Sequence, residues 1–278
     1  MATVKSFADE FVLLDLNPLS ITKREARKAI EAQRVPCESP RNLEEHVLDM
    51  VGRDVHEKLV KGYAEKQYGK PCSQLPASLI SRMPLLFTFD NDYSRVRYQG
   101  VPTLGWPSVF EALLEGVEVR LGVDYLESRA ELDPLAGEIV FTGPIDEYFG
   151  HRFGALEYRG RRFVHRLCEE ENRQGTSLMN YTDSETPELR TIEHKHFTGA
   201  SSPVTVVTSE YATPWSIGDE PYYTVNDDAN QARYSRYLSL AEALPDVHFG
   251  GQLGECRYYD MQDTVKSALR LSRKLFLS

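Results

Sequence analysis

Two arginines that lie far apart in the sequence have the side-chain chemistry needed to bind phosphate groups. Arg82 ends the segment GYAEKQYGKPCSQLPASLISR at residues 62–82, and Arg190 begins the segment RTIEHKHF. A planar guanidinium donates two parallel hydrogen bonds, which suits a diphosphate. Taken singly, an arginine is more often the partner of a surface carboxylate. The interpretation therefore depends on whether the fold brings Arg82 and Arg190 together.

The chain is also rich in tyrosine, and some of its tyrosines stand in pairs. It has 15 tyrosines, which include Tyr222-Tyr223 and Tyr258-Tyr259. A tyrosine hydroxyl can bond a phosphate or a sugar, but packing in a core or on a sheet is the plain alternative. The glycines of FGGQLGE, just before Tyr258, are typical of a turn that presents N–H groups to an anion. Glycines at that spacing are a weak signal by themselves.

Several acidic residues are candidates for binding a divalent cation, which prefers carboxylate oxygens. The candidates are Asp90, Asp92, Asp146, Glu193 and Asp260. Hard-cation sites have no strict spacing, so the sequence does not choose among them, and each is otherwise a solvated or paired carboxylate. In the run EHKH at residues 193–196, a strand would put His194 and His196 on one face.

Residues 1–83 are predicted to form a helical lobe that carries the first of these arginines. Thr22 and Glu25 form a capping box, and Asn42 starts the same pattern again. Apolar residues then follow a 3.6-residue period over residues 43–63. This period predicts one long amphipathic helix that leads into the arginine-bearing segment.

Residues 84–278 are predicted to be mixed α/β with an antiparallel component. Apolar or alternating runs predict strands at LLFTF, VEVRLGV, EIVFTG, ALEYRGRRFVHRL, VTVVTSEY and VHFGG. Pro107 and Gly116 frame one predicted helix, a second is predicted at residues 228–243, and the last starts at Asp260. Together the two regions predict an α+β protein with a helical lobe and a sheet domain.

Composition narrows the class of protein. The 278 residues carry a net charge of -10, which argues against a nucleic-acid partner but not against a local arginine site for a small anion. No apolar run approaches the roughly 20 residues of a membrane span, and the N-terminus lacks the apolar region of a signal peptide. The 4 cysteines lack C-x-x-C spacing, which indicates reduced thiols. We therefore expect a cytoplasmic protein without a membrane partner.

Together these segments resemble those of the UDP-galactopyranose mutase family. The similar segments, in the family's order, are KGYAEKQYG, LPASLISR, YQGVP, GPIDEYFG, LEYR, NYTD, RTIEHKHF, EPYYTVND and FGGQLGECRYYDM. The resemblance implies an isomerase that interconverts the pyranose and furanose forms of a nucleotide-diphosphate hexose, which the family does for UDP-galactose with reduced FAD. It also implies remnants of a Rossmann-like FAD domain and a homodimer. Because the family shares the EHK run, we interpret that run as structural or substrate-orienting.

Site residues follow from the resemblance, position by position. Arg82 and Arg190 match two diphosphate-binding arginines, and Asp260 matches an aspartate beside the sugar and phosphate, so these three are the predicted catalytic residues. The predicted substrate-binding residues match positions that contact the phosphates, the sugar or the nucleotide. They are Tyr63, Tyr68, Tyr93, Asn180, Tyr223 and Tyr258.

Two departures from the family concern its flavin. The chain contains no strand–Gly-x-Gly-x-x-Gly–helix unit, and Gln252 stands where the family has an arginine that contacts FAD. We therefore predict a natural short member of the family that binds no FAD tightly and uses a divalent metal, Mg²⁺ or Mn²⁺, as a Lewis acid on the diphosphate. The alternatives are a mutase that uses separately supplied FAD and a non-catalytic sugar-nucleotide-binding subunit.

A third departure concerns the nucleotide base. Leu59, Ala64 and Tyr68 stand where the family has a phenylalanine, a threonine and a stacking tryptophan around uracil. Smaller side chains at the first two positions leave room for a purine, and Tyr68 can still stack on a base. A GDP-sugar is therefore an alternative to a UDP-sugar as the predicted substrate.

Overall fold

A computed structural model describes residues 22–80, 87, 98 and 100–276, and it combines helices with an antiparallel sheet. This combination confirms the predicted α+β class. No helix in these ranges is both long enough and apolar enough to cross a bilayer.

The helices and strands alternate along most of the chain. The helices are α1 (Lys23–Gln33), α2 (Leu43–Val51), α3 (Arg53–Val55), a π-helix (His56–Lys61), α4 (Gly62–Tyr68), α5 (Trp106–Leu113), α6 (Arg129–Leu132), α7 (Ile145–Tyr148), α8 (Lys195–Thr198), α9 (Asp228–Ala241), α10 (Gly251–Gly254) and α11 (Met261–Phe276). Short 3₁₀ turns occur at Cys72–Gln74, Ala77–Ile80 and Asp133–Leu135. The strands are β1 (Ile139–Phe141), β2 (Tyr158–Cys168), β3 (Leu178–Asn180), β4 (Arg190–Glu193), β5 (Thr205–Pro214), β6 (Tyr223–Thr224) and β7 (Val247–Phe249).

The chain divides into two units, and it passes between them three times. The first unit contains the described residues up to Glu115 and then Arg161–Thr213, whereas the second contains Gly116–Gly160 and the residues from Pro214 onward. The sequence had predicted a single boundary after residue 83. The division differs because the helical lobe and most of the antiparallel sheet belong to the same unit.

The helical part of the first unit starts as predicted. The Thr22 hydroxyl accepts a hydrogen bond from the Glu25 N–H at 3.3 Å, and the Glu25 carboxylate accepts one from the Thr22 N–H at 2.8 Å. This is the predicted capping box of α1. The Asn42 side chain accepts from the Glu45 N–H at 2.9 Å and so caps α2.

The predicted single helix over residues 43–63 is wrong, because the chain breaks at Gly52. Gly52 has a φ of 84°, a conformation that favours glycine, and α2 ends there. A Cβ at Gly52 would lie 2.7 Å from the Gln33 Cβ, so only glycine lets the end of α1 approach so closely. The helical path then resumes through α3 and the π-helix. The apolar period hid the break because Val51 and Val55 continue it on either side of the glycine.

The antiparallel sheet of the first unit has the strand order β3-β4-β5-β2. Asn180 of β3 lies opposite Arg190 of β4, and Arg190 lies opposite Glu210 of β5. Residues that are directly opposite on paired strands share a face of the sheet. The three side chains therefore form one row across three strands.

Helix α4 is joined to the segment that connects β3 to β4. A Cβ at Gly62 would lie 2.3 Å from the Thr182 carbonyl oxygen, so the helix and this segment touch backbone to backbone. The Lys66 ammonium donates to the carbonyl oxygens of Tyr181, Thr186 and Glu188 at 2.8–3.0 Å. Burial lowers the pKa of Lys66 from its ordinary value. These contacts fix the ends of β3 and β4, where Asn180 and Arg190 lie.

The second unit contains a parallel strand pair, as expected for a remnant of a Rossmann-like domain. Strands β1 and β7 pair in parallel, and the first residues of β2 pair antiparallel with β6. The buried core of this unit consists of Ile145, Leu156, Tyr158, Tyr237 and Cys256. The predicted strand VEVRLGV adopts turns and irregular backbone instead. Its valines and its leucine are exposed, and no described strand pairs with this segment.

We predict that Gly62→Ala destabilises the first unit by about 1–3 kcal/mol, because the added methyl group forces α4 away from the Thr182 carbonyl. The free energy of unfolding from urea denaturation measures this loss. Gly137→Ala is the matched control, since a Cβ at Gly137 meets no atom within 4 Å. Equal stability of the two variants would contradict the close helix–loop contact.

Candidate functional site

The row formed by Asn180, Arg190 and Glu210 contains a strong ionic contact. Arg190 Nε lies 2.9 Å from Glu210 Oε2, and its Nη2 donates to Oε1 at 3.4 Å. A second arginine reaches the same carboxylate, because Arg161 Nε lies 2.8 Å from Glu210 Oε1. The side chains of Arg161 and Glu210 are 1% and 7% exposed, whereas that of Arg190 is 22% exposed. Two guanidiniums thus share one carboxylate, and the outer one reaches the surface.

This arrangement places two guanidiniums beside one buried carboxylate on the sheet face. Glu210 contacts Arg190 through Nε and Nη2, and these contacts hold the Arg190 guanidinium against the sheet. Asn180 Oδ1 is a buried acceptor without a hydrogen bond among the described residues. This face of the sheet therefore presents the Arg190 guanidinium beside the acceptor oxygen of Asn180.

Sequence reasoning found Arg190 and Asn180 but missed Arg161 and Glu210. Both missed residues lie in runs that had been assigned correctly to strands. Alternation along β5 puts Glu210 on the same face as Thr208, and a charged residue among buried strand positions indicates a buried ion pair. The register between strands, which sequence alone does not give, is what brings both arginines to Glu210.

Helix α4 carries two of the predicted substrate-binding tyrosines, and they have different surroundings. Tyr63 is half-buried. Tyr68 is 9% exposed and Ala64 is 7% exposed, and both belong to the apolar core formed with α2. Tyr68 and Ala64 thus pack in the core of the helical lobe, and the base-stacking role of Tyr68 stays a prediction. The physical reason is that positions 64 and 68 lie one turn apart, on the inner face of the helix.

Four predicted residues lie outside the described part of the chain. These are Arg82 and Tyr93 of the predicted substrate site and Asp90 and Asp92 of the candidate metal ligands. The pairing of Arg82 with Arg190 in one clamp therefore stays a prediction.

The second unit holds the remaining predicted residues, and two of them are in contact. The rings of Tyr223 and Tyr258 are stacked, with centroids 5.3 Å apart and planes 26° apart. Both tyrosines are half-buried. Asp260 stands just before α11, and its carbonyl oxygen accepts the N–H groups of Asp263 and Thr264 at 3.1 and 3.0 Å. The structure thus brings Tyr223 and Tyr258 together and puts Asp260 two residues further along.

Gln252 positions this tyrosine pair. Its side-chain amide donates to the Tyr222 carbonyl at 2.7 Å and accepts from the Tyr259 N–H at 3.3 Å. These bonds link the neighbours of Tyr223 and Tyr258. The residue that replaces the family's FAD-contacting arginine therefore has an internal role in this chain.

The turn around Gln252 does not fit the pyrophosphate of the flavin that the resemblance implies. A Cβ at Gly250 would lie 3.2 Å from Leu271 Cδ2, and one at Gly254 would lie 3.1 Å from the Phe141 carbonyl oxygen. The protein's own atoms fill the space beside these glycines, so they serve internal packing rather than an open cradle. The turn also offers no cationic side chain, and the Gln252 amide is already bonded.

Two of the described candidates for metal binding, Glu193 and Asp146, are held by other contacts. Glu193 is fully buried and accepts from the N–H groups of Arg173 and Gln174 at 3.1 and 2.9 Å. Asp146 is also fully buried, and it accepts from the Leu156 N–H and the Tyr158 hydroxyl at 2.8 Å. Within the described ranges, no group of three or more His, Cys, Asp or Glu side chains is placed to hold a metal ion.

The EHKH run does not form the continuous strand that would put both histidines on one face. Strand β4 ends at Glu193, and α8 begins at Lys195. His196 Nε2 lies 3.2 Å from the Glu193 carboxylate, whereas His194 Nε2 lies 2.6 Å from the Thr208 hydroxyl oxygen. The two histidines therefore contact different partners.

Comparison with known proteins gives the class to which this fold and site belong. The sequence profile of GLF, UDP-galactopyranose mutase, matches residues 58–258. A probable UDP-galactopyranose mutase of Klebsiella pneumoniae is 34% identical over 243 residues, which cover 86% of this chain and 62% of that protein. The chain therefore belongs to the UDP-galactopyranose mutase family, and it spans less than two thirds of the Klebsiella relative.

A second relative carries a different sugar and base in its name. The dTDP-fucopyranose mutase of Escherichia coli is 30% identical over 261 residues, covering 91% of this chain and 69% of that protein. Among solved structures, reduced UDP-galactopyranose mutase superimposes with a TM-score of 0.63 at 11% identity, covering 96% of this chain and 73% of that one. At this identity the superposition shows a shared fold.

We predict that Glu193 makes the stability of the first unit depend on acid pH. Burial raises the pKa of Glu193, but hydrogen bonds from Gln174, Arg173, Thr205 and His196 outweigh burial and hold the pKa at about 2. Because this value is below the ordinary 4.5, the stabilisation is complete above about pH 4.5 and is lost as the pH falls towards 2.

Urea denaturation of Glu193→Gln across pH 2–7 tests this dependence. The variant should be less stable than the wild type at pH 7, and the difference should shrink towards pH 2. Glu169→Gln at an exposed position is the control and should follow the wild type. A difference that stays constant over the whole range would contradict a titrating Glu193.

Proposed function

We propose that this chain binds a nucleotide-diphosphate hexose and interconverts its pyranose and furanose forms. The observation that carries the proposal is the contact between Arg190 and the buried Glu210, which holds a partly exposed guanidinium in one row with Asn180. Membership in the family and the names of both relatives support this reaction class.

Arg190 is proposed to bind the diphosphate and to stabilise it as a leaving group. Its fork is already planar and fixed by Glu210, so little order is lost when an anion arrives. Arg161 adds to the positive potential from its buried position. When the bond between the anomeric carbon and the phosphate oxygen breaks, the charge that develops on the diphosphate meets this preorganised cation. In this proposal, Arg82 binds the same diphosphate together with Arg190.

From the resemblance, the stacked tyrosines are proposed to supply hydroxyl groups to the substrate. Tyr223 and Tyr258 donate to phosphate or sugar oxygens, and Gln252 keeps their backbones in place. Asp260 accepts from a sugar hydroxyl. Tyr63, Tyr93 and Asn180 complete the proposed substrate contacts, and a homodimer is proposed from the resemblance alone.

The proposed ring contraction proceeds without a bound flavin. The sugar's 4-hydroxyl attacks the anomeric carbon as the diphosphate leaves, and the 4-oxygen loses its proton. The diphosphate then returns to the anomeric carbon, the bond from that carbon to the ring oxygen breaks, and that oxygen takes a proton. A divalent metal bound together with the diphosphate would supply an additional Lewis acid, although the described ranges hold no group of three or more His, Cys, Asp or Glu side chains placed to bind one. The packed turn and the bonded amide of Gln252 support a reaction that does not depend on tightly held FAD.

A pyrimidine nucleotide is the proposed base. The relatives are named for UDP and dTDP sugars. The guanine alternative depended on Leu59, Ala64 and Tyr68, and two of these side chains are buried in the helical core. GDP-hexoses are the comparison substrates that test which nucleotide base the protein prefers.

We predict that the purified protein converts UDP-galactose or a dTDP-hexose to its furanose form, as resolved by chromatography of the product. Reactions with and without reduced FAD, and with and without a chelator, separate the cofactor alternatives. Turnover only with added reduced FAD would favour the flavin-dependent enzyme. Binding of the sugar nucleotide without turnover under every condition would favour a non-catalytic subunit.

Arg190→Ala should lower kcat/KM about 100-fold, because it removes a donor from the developing charge of the leaving group. The substitution also removes one of the two arginines that contact the buried Glu210, which can lower the stability of the fold. The melting temperature of the variant must therefore be measured together with its kinetics. Arg41→Ala is the control, since Arg41 is 84% exposed and pairs only along its own helix end with Glu45. This control should stay within twofold of the wild type. A wild-type rate in Arg190→Ala would contradict the proposed diphosphate site.

A further inference from the structure

One buried hydroxyl on the sheet lies between two exposed imidazoles. Thr208 Oγ1 is 2.8 Å from His165 Nδ1 and 2.6 Å from His194 Nε2. Thr208 is 2% exposed, whereas both histidines are exposed. His165 belongs to β2, Thr208 to the neighbouring β5, and His194 follows the end of β4. The three side chains thus form a short chain of hydrogen bonds across the sheet.

The shared hydroxyl makes the two imidazoles complementary. A hydroxyl has one hydrogen to donate, so Thr208 donates to one ring nitrogen and accepts from the other. When both rings are neutral, one outer nitrogen is an acceptor and the other carries a proton. The roles exchange when one proton moves along each hydrogen bond, the first ring takes up a proton on its outer nitrogen and the second ring releases its outer proton, and the total charge is then unchanged.

The neutral form of this arrangement is supported by its environment. Burial lowers the pKa of His194 from its ordinary value, and the nearby charge of His165 lowers it further. An extra proton on the pair would also leave two ring N–H donors facing one hydroxyl oxygen. Both effects favour the neutral form of His194.

The hydrogen-bond chain lies on the same face of the sheet as the proposed diphosphate site. Thr208 is opposite Ile192, and Glu210 is opposite Arg190. Residues 208 and 210 are two positions apart on one strand, which places them on one face about 7 Å apart. The hydrogen-bond chain and the proposed diphosphate site at Arg190 are thus neighbours on this face of the sheet.

We propose that His165, Thr208 and His194 form a proton relay that serves the sugar during ring contraction, an inference that rests on the proposed function. The reaction removes a proton from the 4-oxygen and adds one to the former ring oxygen. The accepting imidazole takes the first proton on its outer nitrogen, and its inner N–H passes a proton to Thr208. Thr208 passes its own proton to the second imidazole, which releases its outer proton to the former ring oxygen.

This cycle balances in protons and charge. The protein ends with the same number of protons and with the two ring tautomers exchanged. The exchanged state is the one that the reverse reaction needs, and the exposed rings return to equilibrium through water. No oxidant or reductant takes part in these transfers.

A pair of substitutions at the bridging position tests the relay. Thr208→Val keeps the branched shape but removes the hydroxyl, so kcat should fall about 100-fold while KM changes less than twofold. Thr208→Ser keeps the hydroxyl and should retain kcat within about threefold. Wild-type turnover in Thr208→Val, or equal losses in both variants, would overturn the relay.

Imidazole tautomers give a second readout that does not depend on turnover. Long-range ¹H–¹⁵N NMR spectra of the full chain, assigned with His165→Gln and His194→Gln, should show opposite tautomers at the two histidines. The opposition should disappear in Thr208→Val and persist in Thr208→Ser. Identical tautomers in the wild type would overturn the relay even if the enzyme is active.

The outcomes separate the relay from the function on which it rests. An active wild type whose Thr208→Val variant is equally active overturns the relay alone. A wild type that converts no nucleotide-diphosphate hexose under any cofactor condition overturns the proposed function, and the catalytic role of the relay with it.

Discussion

The buried carboxylate of Glu210 determines how the first unit presents positive charge. Burial of two guanidiniums beside each other is costly unless an anion lies between them, and Glu210 meets both. Of the two guanidiniums, that of Arg190 is the more exposed. A diphosphate carries several negative oxygens, and a guanidinium can bond two of them at once. In the proposed function, the buried Glu210 therefore positions the arginine that binds the substrate.

The position of Arg190 depends on contacts far away in the sequence. Strands β3 and β4 are short, and their connecting segment has little sheet structure of its own. Gly62 allows α4 to touch this segment, and Lys66 bonds three of its carbonyl groups. The motif KGYAEKQYG therefore acts on the site indirectly, because it fixes the segment that ends at Arg190. A residue in such a motif does not have to touch a ligand.

Local sequence patterns predicted the elements well, and long-range pairing limited the rest. The capping box of Thr22 and the alternation of β5 depend on neighbours within a few residues, so the sequence contains them fully. The break at Gly52, the burial of Tyr68 and the meeting of Arg161 with Glu210 depend on partners elsewhere in the chain. The resemblance located Arg190 and Asn180, but only the strand register showed that they are opposite each other.

The division of labour within the proposed site follows from the chemistry of ring contraction. The leaving diphosphate needs positive charge, and the row around Arg190 provides it. The sugar oxygens need one acceptor and one donor of protons, and two neutral imidazoles joined by Thr208 are complementary in that sense. Gln252, which is bonded to the backbone on both sides, serves the tyrosines instead of a cofactor phosphate. Each need of the reaction can thus be met by side chains of this chain, and their geometry follows from strand pairing and from one helix–loop contact.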